Sequence, residues 1–109
     1  MELTGKCKEE FEKWFTKDIE DFENYDQHLL NEFYKQIYSM QYGVLVDYFD
    51  SVGIYVMDKH NEIARKFYYD ISTKPMSNDI TSDCNLTRPE ARTAVTEKAN
   101  ELRNEVLNK

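Results

Sequence analysis

The feature that most constrains the fold of this chain is a change of hydrophobic period at Gly53. Before Gly53, apolar residues recur at every third or fourth position, the spacing of one face of an α-helix. After Gly53, apolar and polar residues alternate, which is the spacing of a half-buried β-strand. Glycine tolerates the positive φ that ends many helices, so Gly53 also suits the junction itself. The sequence therefore predicts helices followed by strands.

Three helices are predicted before this junction. The first has an apolar face made of Phe11, Trp14, Phe15, Ile19 and Phe22. The second has Leu29, Leu30, Phe33, Tyr34, Ile37 and Tyr38 at the same spacing. The third covers residues 40–52, with Gln41, Val44, Leu45, Tyr48, Phe49 and Val52 on one side. Asp26 is the predicted N-cap of the second helix and Ser39 that of the third, unless these two helices are continuous.

Residues 54–57 and 63–71 predict an antiparallel β-hairpin, with the polar residues 58–62 as its turn. Residues 72–86 are rich in serine and threonine and are predicted to form a long loop. Thr87 and Glu90 form the pattern of a capping box, which starts a final helix whose alanines allow close packing. The expectation is an α+β fold with three N-terminal helices, a hairpin and a long C-terminal helix around one core. At 109 residues, the chain is expected to be a single domain, residues 1–109.

Negative charge is concentrated in residues 18–58, which contain nine carboxylates and a single lysine, Lys35. The whole chain has a net charge of −7, which disfavours nucleic acids and anionic membranes as partners and favours proteins with a basic surface. The same residues hold many of the tyrosines, which supply rigid contact area with a polar tip. The predicted partner-binding residues are Asp18, Glu20, Asp21, Glu23, Tyr25, Asp26 and Tyr42.

Sequence signals for catalysis are weak. Asp58, His60 and Glu62 alternate in the predicted turn and are the best candidates for metal ligands or acid–base groups, but turn geometry alone favours such polar residues. Cys7 and Cys84 belong to no C-x-x-C pair, and no glycine-rich phosphate loop is present. We therefore expect no enzyme activity, no cofactor and no metal. The charged N-terminus and the absence of a long apolar run favour a cytoplasmic protein.

Two segments together, YGVLVDYFDSVGI at residues 42–54 and TRPEARTA at residues 87–94, resemble small uncharacterised proteins encoded by bacterial phages and prophages. Residues 11–15, FEKWF, fit the same pattern. The resemblance implies an accessory protein that acts in the cytoplasm of a bacterial host, and it supplies no catalytic or binding residue. Residues 72–86 depart from it.

The leading hypothesis is a non-catalytic acidic module that binds and modulates or inhibits a host protein, such as a defence protein. The alternative is a self-associating protein, for example a homodimer whose exposed tyrosines meet across a two-fold axis. A nucleic-acid mimic and a small metal-dependent enzyme rank below these two.

Overall fold

The computed structural model describes residues 2–17, 25–73 and 80–109. Their secondary-structure elements, in chain order, are α1 (Gly5–Thr16), α2 (Tyr25–Lys35), α3 (Tyr38–Ser51), β1 (Ile54–Asn61), β2 (Lys66–Thr73), β3 (Ile80–Thr81) and α4 (Arg88–Leu107). The fold is α+β, as the change of period predicts.

The three strands form one antiparallel sheet in the order β1-β2-β3. Val56 of β1 lies opposite Ile71 of β2, and both are buried. Helix α4 packs against β1 and β2, and α3 packs against β1. Ala91 and Ala99 of α4 are fully buried, so these small side chains let the helix lie close to the sheet, as expected.

An aromatic core joins the N-terminal helices. Phe11 of α1 lies 5.3 Å from the ring of Phe33 in α2 and 5.4 Å from that of Tyr48 in α3, measured between ring centroids. Phe11, Tyr48 and Phe49 are all essentially inaccessible to solvent. Aromatic side chains bury the largest areas of any residues, so this cluster supplies much of the hydrophobic stabilisation of the fold.

The predicted helix ends are partly correct. Thr87 and Glu90 form the expected capping box at the start of α4, and Gly53, which follows the C-cap residue Val52 of α3, has a φ of 80°. Ser39 is not a cap, because it lies inside α3 and the extended residue Ile37 precedes that helix. This extended residue also separates α2 from α3. Asp26 lies within the first turn of α2 and is therefore not its N-cap.

The hairpin turn begins four residues later than the sequence predicts. Strand β1 continues to Asn61, β2 begins at Lys66, and residues 62–65 form the loop. The side-chain oxygen of Asn61 accepts hydrogen bonds from the backbone N–H groups of Ile63 and Ala64, both at 3.0 Å. Ile63, predicted to be in a strand, is almost completely exposed. The local Asn61 hydrogen bonds outweigh the strand preference of Ile63.

The predicted loop 72–86 also contains regular structure. Its residues Ile80 and Thr81 form β3, with Ile80 opposite Ile71 and Thr81 opposite Asp70. Further along, Leu86 and Phe67 exchange backbone hydrogen bonds of 2.8 and 3.1 Å. This part of the chain therefore adds an edge to the sheet before α4 begins. Residues 74–79 lie outside the described part of the chain.

Candidate functional site

The structure tests little of the predicted acidic site. Asp18, Glu20, Asp21 and Glu23 lie outside the described residues, and so do the side chains of Tyr25 and Asp26, whose backbone forms the first turn of α2. The contribution of these six residues to partner binding stays a prediction. Tyr42 is the member of the predicted site whose side chain the structure describes.

Tyr42 is buried, and the expectation that it is an exposed anchor is wrong. Its side chain is only 7% exposed. The hydroxyl donates a hydrogen bond of 3.2 Å to Oδ1 of Asp58, and burial, reinforced by the nearby carboxylate, raises the pKa of Tyr42. The reason is helical spacing: Tyr42 is followed at three and seven residues by the buried Leu45 and Phe49. It therefore belongs to the buried face of α3.

The three residues considered as metal ligands have separate environments. Asp58 lies in β1 with the Nε atoms of Arg88 and Arg92 at 3.7 and 3.5 Å from Oδ2. The His60 ring packs against Phe67, with 4.7 Å between centroids, and Glu62 lies in the exposed hairpin loop. Within residues 2–17, 25–73 and 80–109, no three His, Cys, Asp or Glu side chains are placed to hold a metal ion.

Cys7 is the more buried of the two cysteines and lies in a structural environment. Both thiols are free, and Cys7 is fully buried in the core. Burial raises the pKa of the Cys7 thiol to about 11. A buried thiol that stays protonated at neutral pH is a poor nucleophile. Cys7 therefore contributes to packing.

An apolar groove lies between α2 and α3, close to the end of α1. It encloses about 280 Å³ and is lined by Phe15, Leu29, Glu32, Phe33, Gln36, Met40 and Val44. Met40 is 59% exposed, and the neighbouring Ile37 is 68% exposed. Large apolar side chains exposed together, with polar residues at their edge, are typical of a protein-binding surface.

Carboxylates lie along the same groove. Glu32 is part of its lining, and its one described ion pair is a loose contact of 3.5 Å with Lys35, both side chains being at least half exposed. On α3, Asp47 is exposed and follows Val44 by three residues and Met40 by seven, so the three share one helix face. Gly43, on the same side, has open space around its Cα. The groove is thus apolar along its floor and acidic at its rim.

The sequence does not reveal this groove. Ile37 and Val44 both fit the apolar spacing predicted for their helices, yet Ile37 is 68% exposed and Val44 is half-buried against the core. Ile37 lies at the break between α2 and α3, where the regular helical spacing ends. Only the angle between the two helices decides which of these residues stay exposed.

No family model, curated protein or solved structure matches this chain. The resemblance to phage and prophage proteins therefore stays a prediction. Over the described part of the chain, no helix has the length and apolar character needed to cross a membrane.

Proposed function

We propose that this protein is a non-catalytic binding module that holds an amphipathic helix of a partner protein in the groove between α2 and α3. The observation that supports this function best is the combination of an apolar floor, with the exposed Met40 and the half-buried Val44, and exposed carboxylates beside it, Glu32 and Asp47. A helix with apolar residues on one face and lysines or arginines beside them has the complementary pattern.

The exposed methionine suits such a role. Met40 is flexible and polarizable, so it adapts to the side chains of a partner at small energetic cost. Leu29 and Phe33 of α2 form the opposite wall of the groove from Met40 and Val44 of α3. Apolar side chains spaced at three and four residues along a partner helix would lie between these two walls.

The charge of the chain supports a basic partner. Residues 18–58, which include the whole of α2 and α3, contain nine carboxylates and one lysine. A field of one sign accelerates the approach of an oppositely charged protein and makes that approach sensitive to salt. Five of the nine carboxylates, the predicted acidic residues from Asp18 to Asp26, precede the groove in sequence. Burial of apolar side chains in the groove would then provide most of the affinity.

The resemblance to phage and prophage proteins indicates where to look for the partner. It supports a host protein of the bacterial cytoplasm whose activity this module modulates or inhibits. A resemblance of this kind does not say which residues bind the partner. The mutations below are therefore made in the groove.

The test is affinity capture from a bacterial lysate with matched variants of the tagged protein. Met40→Asp places a charge on the groove floor, and Met57→Asp is its control, since Met57 is 47% exposed on β1 and outside the groove. Glu32→Lys combined with Asp47→Lys reverses the rim charge, and Glu101→Lys combined with Glu105→Lys makes the same change on α4. Captured proteins are quantified at about 0.1 M and about 0.5 M salt, where the screening lengths differ about twofold.

We expect the wild type and both control variants to capture one dominant partner. Met40→Asp and the rim reversal should no longer capture it, and about 0.5 M salt should reduce the amount captured by the wild type. A partner retained by Met40→Asp would contradict the groove. Recovery of the tagged protein alone, together with a dimer mass in light scattering, would favour the homodimer instead.

A further inference from the structure

Met40 places an oxidisable sulfur on the floor of the groove between α2 and α3. Its side chain lines the groove together with those of Phe33 and Val44. Met40 is 59% exposed, whereas Leu45, in the same helix, is 4% exposed. A methionine exposed to this extent leaves its thioether accessible to small solutes in water. The same sulfur lies where the apolar side chains of a partner helix would bind.

An accessible thioether is oxidised to a sulfoxide by peroxides. Hydrogen peroxide transfers one oxygen atom to the sulfur, the sulfur gives up two electrons, and the other oxygen of the peroxide leaves as water. The carbon–sulfur bonds stay intact. Because hydrogen peroxide is uncharged, the exposed carboxylates of Glu32 and Asp47 beside the groove do not repel it. The acidic surroundings of Met40 therefore leave this reaction open.

The sulfoxide changes the polarity of the groove floor. A flexible apolar side chain becomes a polar one with a strong hydrogen-bond acceptor. Burying that acceptor against apolar side chains is unfavourable unless a donor is supplied. Among the described residues that line the groove, only Gln36 has a side-chain N–H, and the apolar face of a partner helix has none. Oxidation of Met40 should therefore weaken the binding of apolar groups in the groove.

From this arrangement we infer that Met40 is a reversible oxidation site that regulates binding in the groove, an inference that rests on the binding function proposed above. Peroxide converts Met40 to the sulfoxide and weakens binding, and reduction restores it. In the reduction two thiols supply the electrons and form a disulfide, while the sulfoxide oxygen leaves as water. Met57 is 47% exposed and lies outside the groove, so its oxidation should not affect binding there.

Indole, which resembles a tryptophan side chain in shape and apolar area, is the probe for the groove. It is titrated before and after peroxide treatment, and NMR of the methyl groups of Leu29 and Val44 follows its binding. We expect saturable shifts before treatment and an affinity at least about fivefold lower afterwards. Peptide mass mapping measures the fraction of Met40 that is oxidised. Treatment with methionine sulfoxide reductase and dithiothreitol should restore the affinity.

Matched leucine variants assign the effect to one sulfur. Met40→Leu keeps the volume and the apolar character of the side chain, so it should bind indole within about twofold of wild type both before and after peroxide. Met57→Leu should lose affinity on oxidation as wild type does. Met40→Leu also retains both free cysteines and therefore controls for thiol oxidation. Circular dichroism verifies that each oxidised protein is folded.

Three results would overturn the inference. The first is an equal loss of affinity in oxidised Met40→Leu, and the second is unchanged affinity of wild type in which Met40 is fully oxidised. The third is the lack of saturable indole binding before treatment, because the groove would then not bind apolar groups.

Lysate capture with untreated and oxidised protein separates this inference from the proposed function. A partner that oxidised wild type loses and oxidised Met40→Leu retains would support both. If no partner is captured while the affinity for indole still falls on oxidation of Met40, the proposed partner is wrong and the role of Met40 in the groove stands.

Discussion

Glu10 is the residue through which three helices are joined by polar contacts. Its carboxylate accepts two hydrogen bonds of 2.8 Å from Arg103 of α4, one on each oxygen. The hydroxyl of Tyr48 in α3 donates a third bond, also of 2.8 Å, to Oε1. Bidentate arginine–carboxylate pairs are among the stronger polar interactions of proteins. The hydrogen bonds from Arg103 lower the pKa of Glu10 below its usual value.

Glu10→Gln should lower the free energy of unfolding by about 1–3 kcal/mol at pH 7, because Arg103 loses its carboxylate partner. A carboxyl whose pKa is lowered by folding stabilises the protein above its unfolded-state pKa, and that contribution is lost as pH falls through the folded-state value. The difference between wild type and Glu10→Gln should therefore be complete at pH 7 and shrink below about pH 4.

Urea unfolding at pH 7, 5 and 3 measures this difference. The exposed Glu105→Gln is the control and should change stability by less than about 0.5 kcal/mol at each pH. A difference between wild type and Glu10→Gln that stays constant down to pH 3 would contradict the assigned role of the ionised carboxylate.

Gly43 gives a second prediction at the residue scale. It lies inside α3, and a Cβ added to it would meet no atom within 4 Å. Glycine inside a helix costs about 0.5–1 kcal/mol relative to alanine. Gly43→Ala should therefore raise the melting temperature by about 2–5 °C, measured by thermal unfolding. A lower melting temperature would show that this position has a packing neighbour.

At the scale of elements, two of the three predicted helix caps, Thr87 and Ser39, can be compared directly. The Thr87 hydroxyl accepts a hydrogen bond from the backbone N–H of Glu90, whose carboxylate accepts one from the N–H of Thr87. Thr87→Ala should cost about 0.5–2 kcal/mol. Ser39→Ala should cost nothing, because Ser39 lies inside α3. Chemical denaturation of both variants checks this, and equal losses of stability would contradict the difference between the two positions.

The helices and their order were predictable because their apolar spacing is strong and local. Phe11 and Phe33 follow the spacing of buried helical residues, and both are in the core. The hairpin turn was placed wrongly because Asp58 and His60 look like turn residues. Asp58 is instead part of a strand, and its ion pairs with Arg88 and Arg92 connect residues thirty or more positions apart. No local pattern contains that information.

The candidate site was predictable only in its charge. The excess of carboxylates in residues 18–58 can be read from the sequence, but the groove depends on how α2 and α3 meet. Tyr42 and Met40 show the difficulty: two residues apart in one helix, one is buried and the other exposed. Residues two apart in a helix lie on different faces, so the spacing separates Tyr42 from Met40, but only packing against β1 and α4 decides which of the two faces is buried.

At the scale of the whole molecule, the net charge and the distribution of apolar surface together determine whether two copies of the chain associate. The chain carries a net charge of −7. The sheet face turned away from α4 carries Met57 beside Asp70, and Asp70 makes an ion pair of 2.9 Å with Lys59. The described part of this face therefore carries charged as well as apolar side chains, whereas the interfaces of obligate dimers are predominantly apolar. The groove between α2 and α3 is the more apolar surface, and it lies in the most acidic part of the sequence.

Two copies of this chain should therefore repel each other before their grooves can meet. We expect light scattering to give the mass of a monomer, 13.0 kDa, at about 0.1 mM protein in 10 mM salt. Screening at 0.5 M salt reduces the Debye length to a few ångströms, so any weak pairing of exposed grooves should appear there and be lost in Met40→Asp. A dimer already present in 10 mM salt would mean that self-association overcomes the charge. The acidic rim would then serve some purpose other than the selection of a basic partner.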